Sequence, residues 1–150
     1  MKTSARVVPV TFSLLLSAMP LLAAEYGTPE EARAMLERAV AAVNADEAKA
    51  LAAFSTERPE SLDRDLYVFC IGPTGRIDAH PNSGLIGQDV RSLKDENGKV
   101  FGEEMLKVAQ PGKFAEVSYM WPRPGTTEPV SKVSYVTKVK DQICGVGYYK

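Results

Sequence analysis

Apolar positions in the first part of the chain recur at helical spacing. Thr28 is followed by Pro29 and, three residues after the threonine, by Glu31, which is the signature of a capped helix start. The apolar positions that follow are three or four residues apart: Ala32, Met35, Leu36, Ala39, Val40 and Val43. The pattern predicts a helix over 29–44 and a second helix over 46–55. Such an amphipathic face typically covers a sheet, although a signalling or dimerising helix gives the same pattern.

From Leu66 the period changes from helix to strand. The run Leu66–Ile71 places three apolar side chains on each of its two faces. A strand with two apolar faces is typically central in its sheet and covered on both sides. Gly72–Gly75 then turns the chain, and Arg76–His80 is predicted to return as the hairpin partner.

The remaining pattern predicts one more helix and three more strands. Residues 55–64 are polar and predict a loop, and 85–93 predict a half-buried connection. Helical spacing covers 100–109 and stops before Pro111-Gly112. Strand patterns cover 114–121, 131–139 and 143–149, with a proline-rich loop over 122–129. The sequence therefore predicts an α+β domain built on one antiparallel sheet.

The first 24 residues carry the features of a secretory signal in the usual order. Lys2 and Arg6 precede the apolar run Val7–Leu22, and small residues end the segment at Ala24. We expect cleavage after Ala24, which leaves 25–150 as one domain in the periplasm or outside the cell. The alternative is an uncleaved anchor, but the apolar run is shorter than the roughly 20 residues that a spanning helix needs. We expect no membrane insertion after cleavage.

Charge and size narrow the class of partner only slightly. Without Lys2 and Arg6, the 18 basic residues become 16 against 19 acidic ones, a formal charge of −3. This balance gives no electrostatic reason to bind nucleic acid or an acidic lipid surface. A domain of this size buries roughly two thirds of its unfolded surface, which is enough for a core of its own.

Cys70 and Cys144 are the two cysteines of the chain. In an exported protein an even pair predicts a disulfide, provided that the two β-like runs that carry them are neighbours. The alternative is two buried free thiols that act as small hydrophobic residues. With one cysteine in each run and one histidine in the chain, we expect no metal site.

Residue spacings that are typical of catalysis are missing. Ser83 lacks the glycines of a nucleophile elbow. Asp95-Glu96-Asn97-Gly98 matches only part of a calcium loop. The acids Glu103 and Glu104 are most simply solvated, and no phosphate-binding loop is present. We therefore expect neither an enzyme nor a cofactor.

Short motifs spread over most of the chain resemble a known family. They are Asp65-Leu66-Tyr67-Val68-Phe69, Gly75, Ala79-His80-Pro81, Leu85–Asp89, Asp95–Lys99, Phe101, Met105, Tyr119–Pro122, Lys132–Val136 and Gly145–Tyr149. Taken in this order they resemble the single Cache domain, type 2, an extracytoplasmic relative of the PAS-type sensors. The resemblance covers nearly all of 25–150.

The resemblance implies a fold, a class of ligand and a class of partner. The fold is a PAS-like sheet of five antiparallel strands in the order 2-1-5-4-3, with an N-terminal helix or helix pair on one face and a pocket on the other. The first and last strands are then neighbours, which supports a Cys70–Cys144 disulfide. Members commonly sense small carboxylates and related metabolites. Because this sequence ends at Lys150, directly after the last strand, we expect any signal to pass through another protein, such as a membrane receptor or kinase; the alternative is that the domain only captures a ligand.

Four residues are candidates for polar contacts with a carboxylate ligand. His80 is held extended by the following proline, and it can donate to an anion or take up a proton when the ligand binds. Lys132 interrupts an apolar strand and is the candidate cation. Tyr119 and Trp121 share a strand face and carry a hydroxyl and an indole N–H. Each also has a structural reading, as a packed or surface histidine, an edge lysine or a core aromatic residue.

Three further residues complete the predicted site. Tyr135 has the opposite strand parity to Lys132, so both line one pocket only if a bulge lies between them. Phe101 and Met105 lie on the predicted covering helix and would supply apolar contacts, or would simply be core.

Two functional hypotheses follow. The first is an exported sensor-type domain that binds a small molecule and predicts a pocket containing His80 and Lys132. The second is a structural or protein-interaction module of the cell envelope, which predicts a collapsed pocket and an exposed apolar patch. The sequence does not identify the ligand, the oligomeric state or the partner protein.

Overall fold

Two helices begin the domain in the computed structural model, which describes residues 25–56 and 61–150. Helix α1 spans Pro29–Ala45 and helix α2 spans Glu47–Phe54. The Thr28 hydroxyl accepts a hydrogen bond from the N–H of Glu31, and the Glu31 carboxylate accepts one from the N–H of Thr28. The predicted capping box therefore begins α1. Both predicted helices are confirmed, each within one residue at either end.

The strands form one antiparallel sheet. They are β1 (Leu62–Asp63), β2 (Leu66–Ile71), β3 (Ile77–Ala79), β4 (Ala115–Pro122), β5 (Pro129–Val139) and β6 (Gln142–Tyr149), with helix α3 (Phe101–Val108) between β3 and β4 in the chain. The sheet runs β1-β2-β6-β5-β4, and β3 also pairs with β2. For the five strands that the sequence predicted, this is the order 2-1-5-4-3. The α+β, PAS-like fold is confirmed.

Strand β1 is the element that the pattern did not predict. The sequence predicts a loop over 55–64, whereas Leu62 and Asp63 pair with Tyr67 and Leu66. Arg64 closes the tight turn between the two strands in the left-handed region, at φ 56°. Two residues are too few for an alternation to be visible, so the sequence pattern carried no signal for this strand.

Strand β2 is buried on both faces, as its pattern predicted. Residues 66, 68 and 70 face a core that α1 and α2 complete. Residues 67, 69 and 71 face a second core that α3 covers. The candidate site lies in this second core, on the face of the sheet away from α1.

Cys70 on β2 and Cys144 on β6 lie directly opposite each other and form a disulfide bond. The bond joins residues 74 positions apart and is fully buried on the face of the sheet that α1 and α2 cover. The predicted pairing is confirmed, and the alternative of two free thiols is wrong. The bridge therefore reinforces the centre of the sheet, where β2 and β6 are hydrogen-bonded neighbours.

Two further expectations concerned the surface of the domain: no membrane insertion, and, for an interaction module, an exposed apolar patch. Among the described residues, no helix combines the length and the apolar character needed to cross a membrane. Tyr26 and Ile86 are the large exposed apolar side chains in this part of the chain. The predicted signal segment 1–24 lies outside the described residues.

Candidate ligand-binding site

A small apolar cavity lies between the sheet and α3. Its volume is about 30 Å³, enough for about two water molecules. Phe101 and Met105 of α3 cover it, and Tyr119 and Trp121 of β4 form one wall. We call this space the inner cavity. Aliphatic side chains of β2, β3 and the connection after β3 supply most of the remaining lining.

A larger space of about 290 Å³ adjoins the inner cavity. It lies between the connection after His80 and the loop 122–126, and we call it the outer pocket. Four residues line both spaces: Tyr67, His80, Leu85 and Trp121. These side chains lie between a small apolar interior and a wider, more polar outer space.

The predicted aromatic and lid residues meet as one cluster. The ring of Phe101 stacks on that of Tyr119 at 4.1 Å between centroids, and Trp121 meets both rings edge-on. The Tyr119 hydroxyl bonds the Ser134 hydroxyl at 2.9 Å. Burial raises the pKa of Tyr119, so the hydroxyl stays neutral. Its ring therefore walls the cavity while its polar end already has a partner.

His80 is buried at the boundary between the two spaces, 7% exposed. Its Nδ1 accepts a hydrogen bond from the backbone N–H of Asn82 at 2.9 Å, which assigns the proton of the neutral ring to Nε2. Burial, reinforced by the charge of Lys132, lowers the pKa of His80 to about 4. At neutral pH this residue is therefore a neutral N–H donor with a fixed ring, rather than a cation.

Lys132 lies one layer deeper than the sequence predicted. The side chain is fully buried, and it is absent from the lining of both spaces. Its Nζ donates to the Tyr67 hydroxyl at 2.7 Å and lies over the rings of Tyr67 and Tyr149, 4.0 and 4.8 Å from their centroids. The expectation that the ammonium itself lines the pocket is corrected: Tyr67 stands between them.

The Lys132 amine is buried without a carboxylate partner among the described residues. Within residues 25–56 and 61–150 it forms no salt bridge. Burial lowers its pKa to about 7, and the more distant charge of Asp65 opposes this only partly. An anion next to Tyr67 would stabilise the charged form of the amine.

Tyr135 lies on the opposite face of the sheet, so its predicted place in the pocket is wrong. Its ring packs beside Tyr148, 5.7 Å between centroids, against the core under α1 and α2. The pairing of β5 with β4 and β6 is continuous, without the bulge that would have turned it. Strand alternation therefore keeps Tyr135 and Lys132 on different faces.

Two residues of this region were missed in the sequence. Tyr67 counted as part of an apolar strand face, although its hydroxyl is the contact between the pocket and Lys132. A hydroxyl-bearing side chain in an otherwise apolar run was the available signal. Arg123 lines the outer pocket from the proline-rich loop. It is the single basic residue of that loop, which was a second usable signal.

The model of the single Cache domain 2 family matches residues 26–149. The chain belongs to this family. Domains of this family are extracytoplasmic sensors that bind ligands, and the family is not one of enzymes. The chain is thus a Cache sensor domain, homologous to the periplasmic ligand-binding domains of chemoreceptors.

Three known proteins show what the chain is similar to. The methyl-accepting chemotaxis protein McpP of Pseudomonas putida strain KT2440 is 34% identical over 102 residues, which are 65% of this chain and 18% of that protein. The chain therefore matches less than a fifth of the length of this relative. A solved periplasmic sensor domain of a chemotaxis protein is 31% identical with a TM-score of 0.61, over 80% of this chain and 88% of the other. A Cache chemosensory domain, solved to explain its recognition of carboxylic acids, is 27% identical with a TM-score of 0.58, over 80% and 86%.

Proposed function

We propose that this Cache domain binds a small organic carboxylate between the inner cavity and the outer pocket. The observation that supports this most directly is the buried Lys132 amine, which has no carboxylate partner within the described residues. Burying a charged group is costly unless an opposite charge compensates it. A bound carboxylate would supply that compensation. The similarity to a domain that recognises carboxylic acids favours the same ligand class.

The proposed donors form a short chain from the interior to the pocket. Lys132 donates to the oxygen of the Tyr67 hydroxyl, and Tyr67 lines both the inner cavity and the outer pocket. His80 offers its Nε2–H beside it, since the two rings meet edge-on at 5.0 Å. Donors in a site of low dielectric bind an anion more strongly than they do in water. The carboxylate would bind here, with its short apolar tail in the inner cavity.

We further propose that the domain acts after export and transmits its bound state to a membrane receptor or kinase. The apolar run Val7–Leu22 and its small-residue end at Ala24 support export with cleavage. The chemotaxis relatives support a sensory role. The alternative of a purely structural or interaction module predicts a collapsed pocket and an exposed apolar patch. The outer pocket, and a surface whose described part exposes Tyr26 and Ile86 as its large apolar side chains, do not favour it.

Thermal unfolding of the purified chain with a panel of small molecules tests the ligand class. The panel pairs acetate, propionate and butyrate with the amide and the amine of equal length. An acid at about a hundred times its Kd stabilises the domain by about 2.7 kcal/mol, which raises the Tm by several degrees. Lys132→Met should abolish the shift, and Lys138→Met, an exposed lysine on the same strand, should retain it. Equal shifts with the amides, or none with any acid, would reject the proposal.

A further inference from the structure

Arg123 contacts the outer pocket and the start of the domain at the same time. Its side chain, 22% exposed, lines the outer pocket. Its guanidinium lies between two aromatic rings, 4.3 Å from the centroid of Tyr26 and 4.9 Å from that of Tyr149. Tyr149 belongs to the last strand, whereas Tyr26 belongs to the segment just before α1. Cation–π contacts of this kind hold the guanidinium against both rings.

Asp65 holds the same segment by a second route. One carboxylate oxygen, Oδ2, lies 3.3 Å from Nε of Arg123. The other, Oδ1, accepts the backbone N–H of Gly27 at 2.7 Å. Gly27 lies so close to Leu66 that a Cβ at this position would overlap the leucine side chain. We call the contacts among Tyr26, Gly27, Asp65 and Arg123 the Arg123 latch.

The guanidinium of Arg123 retains unused donors. Among the described residues its hydrogen bonding is confined to Nε, so neither Nη group has a hydrogen-bond partner. The contact to Asp65 is long and single, unlike the short bidentate pairs that arginine forms with carboxylates. A carboxylate in the outer pocket would therefore offer Arg123 a better partner than Asp65 does.

We propose that an anionic ligand in the outer pocket draws Arg123 away from Asp65 and from the ring of Tyr26, and thereby releases the segment Tyr26–Gly27 that precedes α1. This inference rests on the proposed function and adds the step by which occupancy of the pocket reaches the beginning of the first helix. The coupling is reciprocal, because the ligand has to break the latch in order to bind. Weakening the latch from the protein side should therefore tighten binding.

Amide hydrogen exchange by NMR measures the release directly. The chain is expressed from Met1, and its amide exchange rates are compared with and without acetate, propionate and butyrate. Fluorescence of Trp121, the single tryptophan of the chain and a pocket residue, reports binding in the same samples. We expect the amide of Gly27 to exchange faster in the bound state, while the buried amides of β2 keep their protection.

Tyr26→Leu tests the reciprocal effect, since it removes the aromatic face and keeps an apolar side chain. It should bind the acids about fivefold more tightly, the lower end of typical coupling between sites. Phe114→Leu is the matched control. The guanidinium of Arg33 lies 4.9 Å from the centroid of the Phe114 ring, on the face of the sheet that α1 and α2 cover. The affinity of Phe114→Leu should equal that of the parent chain.

The outcomes separate this inference from the proposed function. If an acid binds but exchange at Gly27 is unchanged or slower, or if Tyr26→Leu binds no more tightly, the Arg123 latch is rejected while carboxylate binding stands. If none of the three acids binds the parent chain, the proposed function and this inference both fail.

Discussion

Lys132 donates a hydrogen bond from Nζ to the hydroxyl of Tyr67 at 2.7 Å, in a buried layer beneath the candidate pocket. Tyr67 also meets His80 edge-on, with 5.0 Å between ring centroids. One tyrosine therefore joins the two side chains that the sequence proposed for anion binding. Tyr67 lines both the inner cavity and the outer pocket, so it connects the buried amine to the candidate ligand site.

Replacing the buried amine of Lys132 should abolish ligand binding and raise the stability of the fold. Lys132→Met removes a charge that is costly to bury and fills the same space. We expect the free energy of unfolding at pH 6 to rise by about 1–3 kcal/mol and the thermal shift with acetate to disappear. Urea unfolding and calorimetric titration measure the two effects. If Lys132→Met still binds acetate at the affinity of Lys138→Met, the amine has no part in recognition.

The stability of the parent chain should rise with pH above neutrality. The pKa of Lys132 is about 7 in the folded state and about 10.5 in the unfolded chain, so the unfolded state binds the extra proton between these values. Each pH unit from 7 to about 9.5 then adds up to about 1.4 kcal/mol. The comparison is urea unfolding of the parent chain and Lys132→Met across this range. Parallel pH profiles for the two proteins would contradict the assignment.

Two conservative variants of His80 should divide its roles. His80→Asn retains an acceptor near the position of Nδ1 for the N–H of Asn82, and His80→Gln retains a donor near the position of Nε2. We expect His80→Asn to keep the parent Tm within about 2 °C and to bind acetate at least tenfold more weakly. His80→Gln should lose about 1 kcal/mol of stability and keep most of the affinity. The reverse pattern would place the ligand at Nδ1.

The disulfide should contribute a large share of the stability. Joining positions 74 residues apart restricts the unfolded chain, and the entropic model gives about 4 kcal/mol for a loop of this size. The double variant Cys70→Ala, Cys144→Ala should lose a similar amount in urea unfolding under oxidising conditions. Thiol titration of the unreduced, unfolded parent chain should find no free thiol. One free thiol per cysteine in that titration would show that the bond does not form.

The spacing of apolar and polar residues along the chain predicted most helices and strands of the fold. The Thr28–Glu31 capping box and the apolar spacing after it give both helices nearly to the residue. The two-faced run of β2 gives a central strand because burial on both sides is visible in the strand itself. Strand β1 was not predicted, because it is only two residues long and forms only by pairing with β2.

The sequence predicted only part of the candidate site. His80 and Trp121 do meet at the pocket, together with Phe101, Met105 and the ring of Tyr119. Tyr135 was assigned to the wrong face, since one bulge would have reversed it and no residue pattern reports a bulge. Arg123 lies in a loop, where neither strand nor helix periodicity says which way a side chain points.

The sequence alone determined the order of helices and strands, the two apolar faces of the sheet and the family, because these features depend on residues that are close along the chain. The tertiary structure alone decided which buried polar groups meet. Lys132 and Tyr67 lie 65 positions apart, and Gly27 and Asp65 lie 38 apart, so their contacts exist only once the strands are in register. A charge can remain in such an interior only beside partners that folding brings to it, and those partners define the site.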